Sequence, residues 1–235
     1  MTSHQPISDL DRMRGEYAQR SQYARDNKYT FFNQSYLFTI QQRQRAILRS
    51  LRQAGITSLE NINILEIGCG KGRVLLEFLQ YGATVTNLHG IDLLPERLHQ
   101  AQDLIGQVPV ICADGQRLPF AANSHDLVIQ FTAFSSILDA EIKRKMAAEM
   151  VRVLKPSGSI LWYDFWINPT NPQTKGIGKA EIKAYFPNCR YAFQKLTLAP
   201  PLARKLVPFS WSLAATLERL QMLNTHYLAM ITPLA

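Results

Sequence analysis

Short apolar runs recur through the middle of the chain, at residues 62–67, 84–91, 108–112, 126–131 and 158–165. Each is about the length of a strand buried on both faces. Between them, residues 71–81, 95–105 and 140–154 carry apolar side chains at helical spacing. Strands alternating with amphipathic helices predict a parallel sheet with helices on both faces. The third helix ends near Leu154, Pro156-Ser157-Gly158 turns the chain, and 159–165 is an apolar strand. Upstream, residues 35–55 place Leu37, Ile40, Ile47, Leu48 and Leu51 at helix-like intervals and stop at Gly55.

After Phe165 the rhythm breaks. "WINPTNPQTKGIG" holds two Asn-Pro pairs and two glycines and reads as a loop with turns. A short helix at 179–186, a strand at 190–198, a proline-bounded segment at 200–222 and a last strand at 225–231 complete the pattern.

With 235 residues, 46% of them hydrophobic and 19% charged, the chain is globular and large enough for a real core. No apolar run reaches the roughly 18 residues of a membrane span, and the first residues lack a basic-then-apolar leader pattern. The reading is a cytoplasmic protein. Cys69, Cys112 and Cys189 are too few and too scattered for a disulfide framework or a zinc site, so reduced thiols and no metal are expected. Net charge is +8, unevenly spread: +4 over residues 1–60, −2 over 61–165 and +6 over 166–235. Basic flanks attract anions, whether small phosphorylated or carboxylated molecules, nucleic acid or an anionic membrane face.

The densest chemistry lies in "NILEIGCGKGRVLLEFL", residues 63–79. An apolar strand meets Gly68, Gly70 and Gly72 and runs at once into a helix. In an open parallel sheet, ligands bind outside the carboxyl ends of the strands, and bare glycine backbone lets them approach. The phosphate-loop pattern fails, because no Lys-Ser or Lys-Thr follows a glycine here. The dinucleotide pattern fails at its third glycine, where Arg73 stands. What remains is E-x-G-x-G-x-G, beginning at Glu66.

That pattern resembles motif I of the class I S-adenosylmethionine-dependent methyltransferases, and the segments downstream of it resemble the same family. "HGIDLLPERLHQAQ" puts Asp92 at the end of the second strand, where the resemblance implies an acceptor for the ribose hydroxyls and has Leu93 pack on the adenine. "VICADGQRLPF" puts Asp114 past the third strand, implying a bond to the adenine amino group, with the Gly115 amide on a ring nitrogen. "HDLVIQFTAFSSI", with Gln130, is similar to the fourth strand and its exit loop. "EMVRVLKPSGSILWYDF" resembles the family's next helix, Lys-Pro turn and fifth strand. The match covers about 62–165. It implies a Rossmann-like three-layer α/β/α sandwich whose mostly parallel seven-stranded sheet has an antiparallel last strand. The cofactor is S-adenosyl-L-methionine, its product S-adenosyl-L-homocysteine, and its implied contacts are Glu66, Gly68, Cys69, Gly70, Gly72, Asp92, Leu93, Asp114, Gly115 and Gln130.

Residues 1–55 read as a helical lid and 56–235 as the catalytic domain, with acceptor-site insertions at about 166–178 and 200–222. Acceptor candidates are Tyr17, Tyr23, Ser135, Trp166 and Arg204; Asp164, at the end of the fifth strand, is the candidate base. The C-terminal stretch resembles small bacterial methyltransferases acting on sugars or natural products. That implies a small acceptor, possibly anionic, methylated on a hydroxyl. Two alternatives stand beside it: a nucleic-acid methyltransferase, lacking here the Asn/Asp-Pro-Pro-aromatic of base-amino enzymes and any Pro-Cys nucleophile, and a protein that binds the cofactor without catalysis.

Overall fold

The computed structural model describes residues 12, 15, 29–168, 171 and 173–234. Fourteen regular elements run from residue 34 onward. They are α1 Gln34–Gln53, β1 Ile64–Ile67, α2 Arg73–Gln80, β2 Leu88–Asp92, α3 Pro95–Ile105, β3 Val110–Cys112, β4 His125–Phe131, α4 Ala140–Val153, β5 Leu154–Phe165, α5 Lys179–Tyr185, β6 Cys189–Leu198, α6 Pro200–Leu206, α7 Trp211–Arg219 and β7 Asn224–Pro233. The strands form one sheet in the order β3-β2-β1-β4-β5-β7-β6. Only β7 runs against the others: it pairs antiparallel with both β5 and β6. The fold is therefore the three-layer, mostly parallel arrangement that the alternation predicts.

Alternation along the strands decides which helices cover which face. Leu127, Ile129 and Phe131 of β4, with Leu161 and Tyr163 of β5, join the apolar layer under α1, α2 and α3. Val128, Ile160 and Trp162, from the same strands, join the layer under α4 and α5. A third, smaller cluster unites Phe38 of α1 with Leu198, Ala203, Val207 and Ala214 of β6, α6 and α7.

Three expectations shift in detail. Residues 84–87 are not strand: Val85–Asn87 form a 3-10 turn, and β2 starts at Leu88. The β5 strand reaches back to Leu154, but its register against β4 jumps between the His125↔Leu154 and Leu127↔Ser159 pairs. The Lys-Pro-Ser-Gly stretch is thus a bulge inside the strand rather than a turn before it. The proline-bounded segment resolves into two helices, α6 entered through Pro200 and Pro201 and α7 capped by the Ser210 hydroxyl.

The α1 helix starts at Asn33, whose side chain accepts the Ser35 and Tyr36 amides, and buries Phe38, Ile47 and Leu51. It is packed wall. Tyr17, Tyr23 and most of the expected lid before residue 29 lie outside the described residues.

Candidate functional site

The sequence forces an unusual backbone at the end of β1. Gly68, Gly70 and Gly72 all take left-handed conformations, with φ of +73°, +54° and +76°, which side chains strain to adopt. A Cβ on Gly70 would collide with the Arg97 guanidinium lying over it. The loop is locked from the next strand: the Gly70 amide donates to Asp92 Oδ2 at 2.8 Å, and the Leu94 amide donates to Oδ1 at 3.0 Å. Arg97 completes the lock, 3.6 Å from the same carboxylate. The β2–β3 pairing sets Asp92 opposite Cys112, two residues before Asp114. Asp114 is exposed and accepts the Gln116 amide at 2.9 Å; Leu93 and Gly115 are half-buried on the same edge.

Beside the loop opens a cleft of about 220 Å³. It is lined by Glu66, Gly68, Cys69, Lys71, Arg73 and Val74 from the loop and α2, by Arg97 of α3, by Phe131, Thr132 and Tyr163 at the ends of β4 and β5, and by Arg43 of α1. Glu66 is the notable group. It is 2% exposed, and its Oε2 has no hydrogen-bond partner. Burial, then the nearby Glu77 and Asp92 charges, hold its carboxyl well above the usual range. A buried acceptor left unpartnered at a cleft wall fits a ligand that brings a donor or a positive charge.

The cleft contains side chains that the motif reading missed. Arg43 pairs with Glu77 and lies over the Phe131 and Tyr163 rings, 5.6 and 5.5 Å from their centroids. Its signal in the sequence was one of four arginines in the helical stretch 35–55, and spacing alone does not say which of them faces a cleft. Thr132, β-branched at φ +58°, holds a strained backbone at the cleft wall, with its amide on the Tyr163 carbonyl at 2.8 Å. Arg73, at the mouth, donates to the Tyr36 hydroxyl at 3.1 Å.

The acceptor-side candidates are placed differently from one another. Asp164 is fully buried. Its Oδ2 accepts the Ser135 amide at 3.0 Å, and its Oδ1 accepts the Phe165 amide at 2.8 Å. Burial pushes it up to about 6 against these bonds. Gln130 and Ser135 are buried close by, and their side chains lie against the Asp164 carboxylate and oppose that rise. The 166–178 loop folds back over this corner, as the Lys175 backbone amide donates to the Ser135 carbonyl at 2.9 Å and the Arg12 side chain reaches the Gln173 and Ser136 carbonyls. Trp166 is held by its indole N–H on the Asn224 carbonyl at 2.7 Å and by Lys195 over its ring. Arg204 is exposed on α6, away from the cleft lining. Among the described residues no cluster of three or more His, Cys, Asp or Glu could hold a metal, and no helix is long and apolar enough to cross a membrane.

Residues 64–158 match the family model described as "Methyltransferase domain". The chain is 29% identical over 111 residues to a sterol 4-C-methyltransferase of Caenorhabditis elegans, covering 45% of this chain and 31% of that protein. It is 32% identical over 103 residues to a demethylmenaquinone methyltransferase of Corynebacterium urealyticum, covering 43% and 41% respectively. The chain thus spans less than half the length of these curated relatives. Among solved structures, phosphoethanolamine N-methyltransferase 1 of Haemonchus contortus, in complex with phosphoethanolamine and S-adenosylhomocysteine, superposes with a TM-score of 0.62 at 16% identity. That match covers 97% of this chain and 51% of that one, and it speaks for the fold alone.

Proposed function

From the premise that residues 64–158 are a class I S-adenosylmethionine-dependent methyltransferase domain, we propose that this chain methylates a hydroxyl of a small organic acceptor, a sugar or natural product. The observation that carries the reading is the glycine loop locked onto Asp92 beside the unpartnered, buried Glu66 oxygen. Those groups fit the cofactor. Glu66 would face its ammonium, the backbone of Gly68 and Gly70 its methionine portion, Asp92 its ribose hydroxyls, and Asp114 with the Gly115 amide its adenine. When bound, S-adenosylmethionine supplies an electrophilic methyl on a sulfonium.

The protein's share is alignment and exclusion of water, which can contribute up to ~7–11 kcal/mol. In this reading Phe131, Thr132 and Tyr163 shape the wall at the strand ends. Asp164 acts as a positioning residue, fixing the Ser135 loop through the amide it accepts, with Gln130 beside it. The named activities of the two curated relatives, on a sterol and on demethylmenaquinone, favour a small organic acceptor over nucleic acid.

Calorimetry tests the first step: S-adenosylmethionine and S-adenosylhomocysteine bind, and NAD does not. Binding of NAD without either of them would end the reading. Incubation with candidate hydroxyl compounds then yields a product heavier by one methylene unit.

A further inference from the structure

The most exposed apolar side chains are not scattered. Phe32 is 99% exposed, Phe209 89% and Met222 79%, and Phe31, Trp211 and Leu220 are exposed as well. Phe31 and Phe32 immediately precede α1; Phe209 sits in the α6–α7 turn and Met222 in the α7–β7 turn. The Phe38 and Trp211 rings, 5.1 Å apart, and the Ser35 hydroxyl on the Ala203 carbonyl at 3.3 Å bring the start of α1 onto the α6–α7 hairpin. Met222 lies one length of α7 away, about 13 Å. The hairpin follows β6, which runs parallel to β1 through β5, so it stands on the same edge of the sheet as the glycine loop.

Over residues 199–223, all of them described, the exposed charges have one sign. Arg204, Lys205 and Arg219 are exposed. The one carboxylate between residues 199 and 223 is Glu218. It is buried and turned inward, accepting the Thr197 and Leu198 amides at 2.9 and 3.3 Å.

We propose that this face docks on the surface of an anionic phospholipid bilayer, and that the acceptor is an amphiphile taken from that surface. The side chains protrude from turns and element ends rather than lining a groove. Protruding aromatics flanked by cations insert between headgroups while the cations meet lipid phosphates. A patch of this kind on a folded domain marks an interaction surface. The acceptor half of the proposal rests on the methyltransferase reading; the docking half does not.

The test is co-sedimentation of the full chain with vesicles of phosphatidylcholine, with and without phosphatidylglycerol. Binding is expected only with phosphatidylglycerol, weakening as salt is raised. The surface variant Phe32→Ser/Phe209→Ser/Met222→Gln, and separately Lys205→Glu/Arg219→Glu, should each reduce the bound fraction by about fivefold or more. Both should keep the wild-type melting temperature and S-adenosylmethionine affinity. No sedimentation with anionic vesicles overturns the docking surface, as does undiminished binding by the variants. A concentration-dependent dimer that the same variants abolish also overturns it, by naming a second copy as the occupant. A chain that binds vesicles but not S-adenosylmethionine keeps the surface and loses the methyltransferase reading; the reverse result loses only the surface.

Discussion

At the scale of single residues, the site is a set of carboxylates given different tasks by their surroundings. Asp92 ties two backbone amides and Arg97 together. Asp92→Ala should therefore weaken cofactor binding by about 1–3 kcal/mol, since an ionised acceptor and the loop's anchor vanish together; calorimetry measures it, and unchanged affinity would take Asp92 out of the site. Glu66 is buried without a full set of partners, so Glu66→Gln should raise the melting temperature of the free protein while lowering cofactor affinity. Two further groups give stability opposite slopes with pH. Burial lowers His226 to about 3. The unfolded chain takes up its proton below about 6.5, so stability is lost as pH falls from there toward 3, by at most about 1.4 kcal/mol per pH unit. Asp164 is raised to about 6; the folded state holds its proton longer, so its contribution declines as pH rises from about 4 toward 6. Thermal melts of His226→Phe and Asp164→Asn across this range should each lack one slope.

At the scale of elements, α1 and α2 are joined through a charge pair rather than apolar contact alone. Arg43 and Glu77 are both largely buried. Removing one partner leaves the other charge stranded, so Glu77→Gln should cost about 3–5 kcal/mol, while the double change Arg43→Met/Glu77→Leu should be close to neutral for stability. Denaturant titration distinguishes the two, and a double-variant loss equal to the sum of the Glu77→Gln and Arg43→Met losses would show that the pair is not coupled. The elements are also where the sequence was most legible. Apolar period announced the strands and helices, because the central strands lie between two helical layers. The glycine loop and the acid that ends β2 were legible because a left-handed backbone and a strand-end acceptor demand particular residue types. Arg43, Thr132 and the Arg97 cover over Gly70 were not, because each acquires its place only when distant segments pack. Asp164 was legible as a strand-end acid, but not as one sealed under the Ser135 loop. The KPSG bulge was misread for a similar reason: proline and glycine announce a break in the backbone, and only the register against β4 shows that pairing brackets it.

At the scale of the whole molecule, a cofactor that binds only the folded state stabilises it by mass action. At a hundredfold excess over Kd the gain is about 2.7 kcal/mol, so the melting temperature should rise by roughly 5–10 °C for a chain of this size; a scan with and without S-adenosylhomocysteine checks it. The sheet order carries a consequence in time. Strands β1 to β5 can pair as soon as each leaves the ribosome, but β6 touches the sheet only through β7, which is made after it. While β7 is unmade, the nascent chain holds an open β5 edge and an unplaced β6, both ready to pair with another copy. Synthesis stalled or cut short before Asn224 would therefore release a product prone to aggregate, and the antiparallel strand that closes the fold is also what shields it from its own neighbours on a polysome.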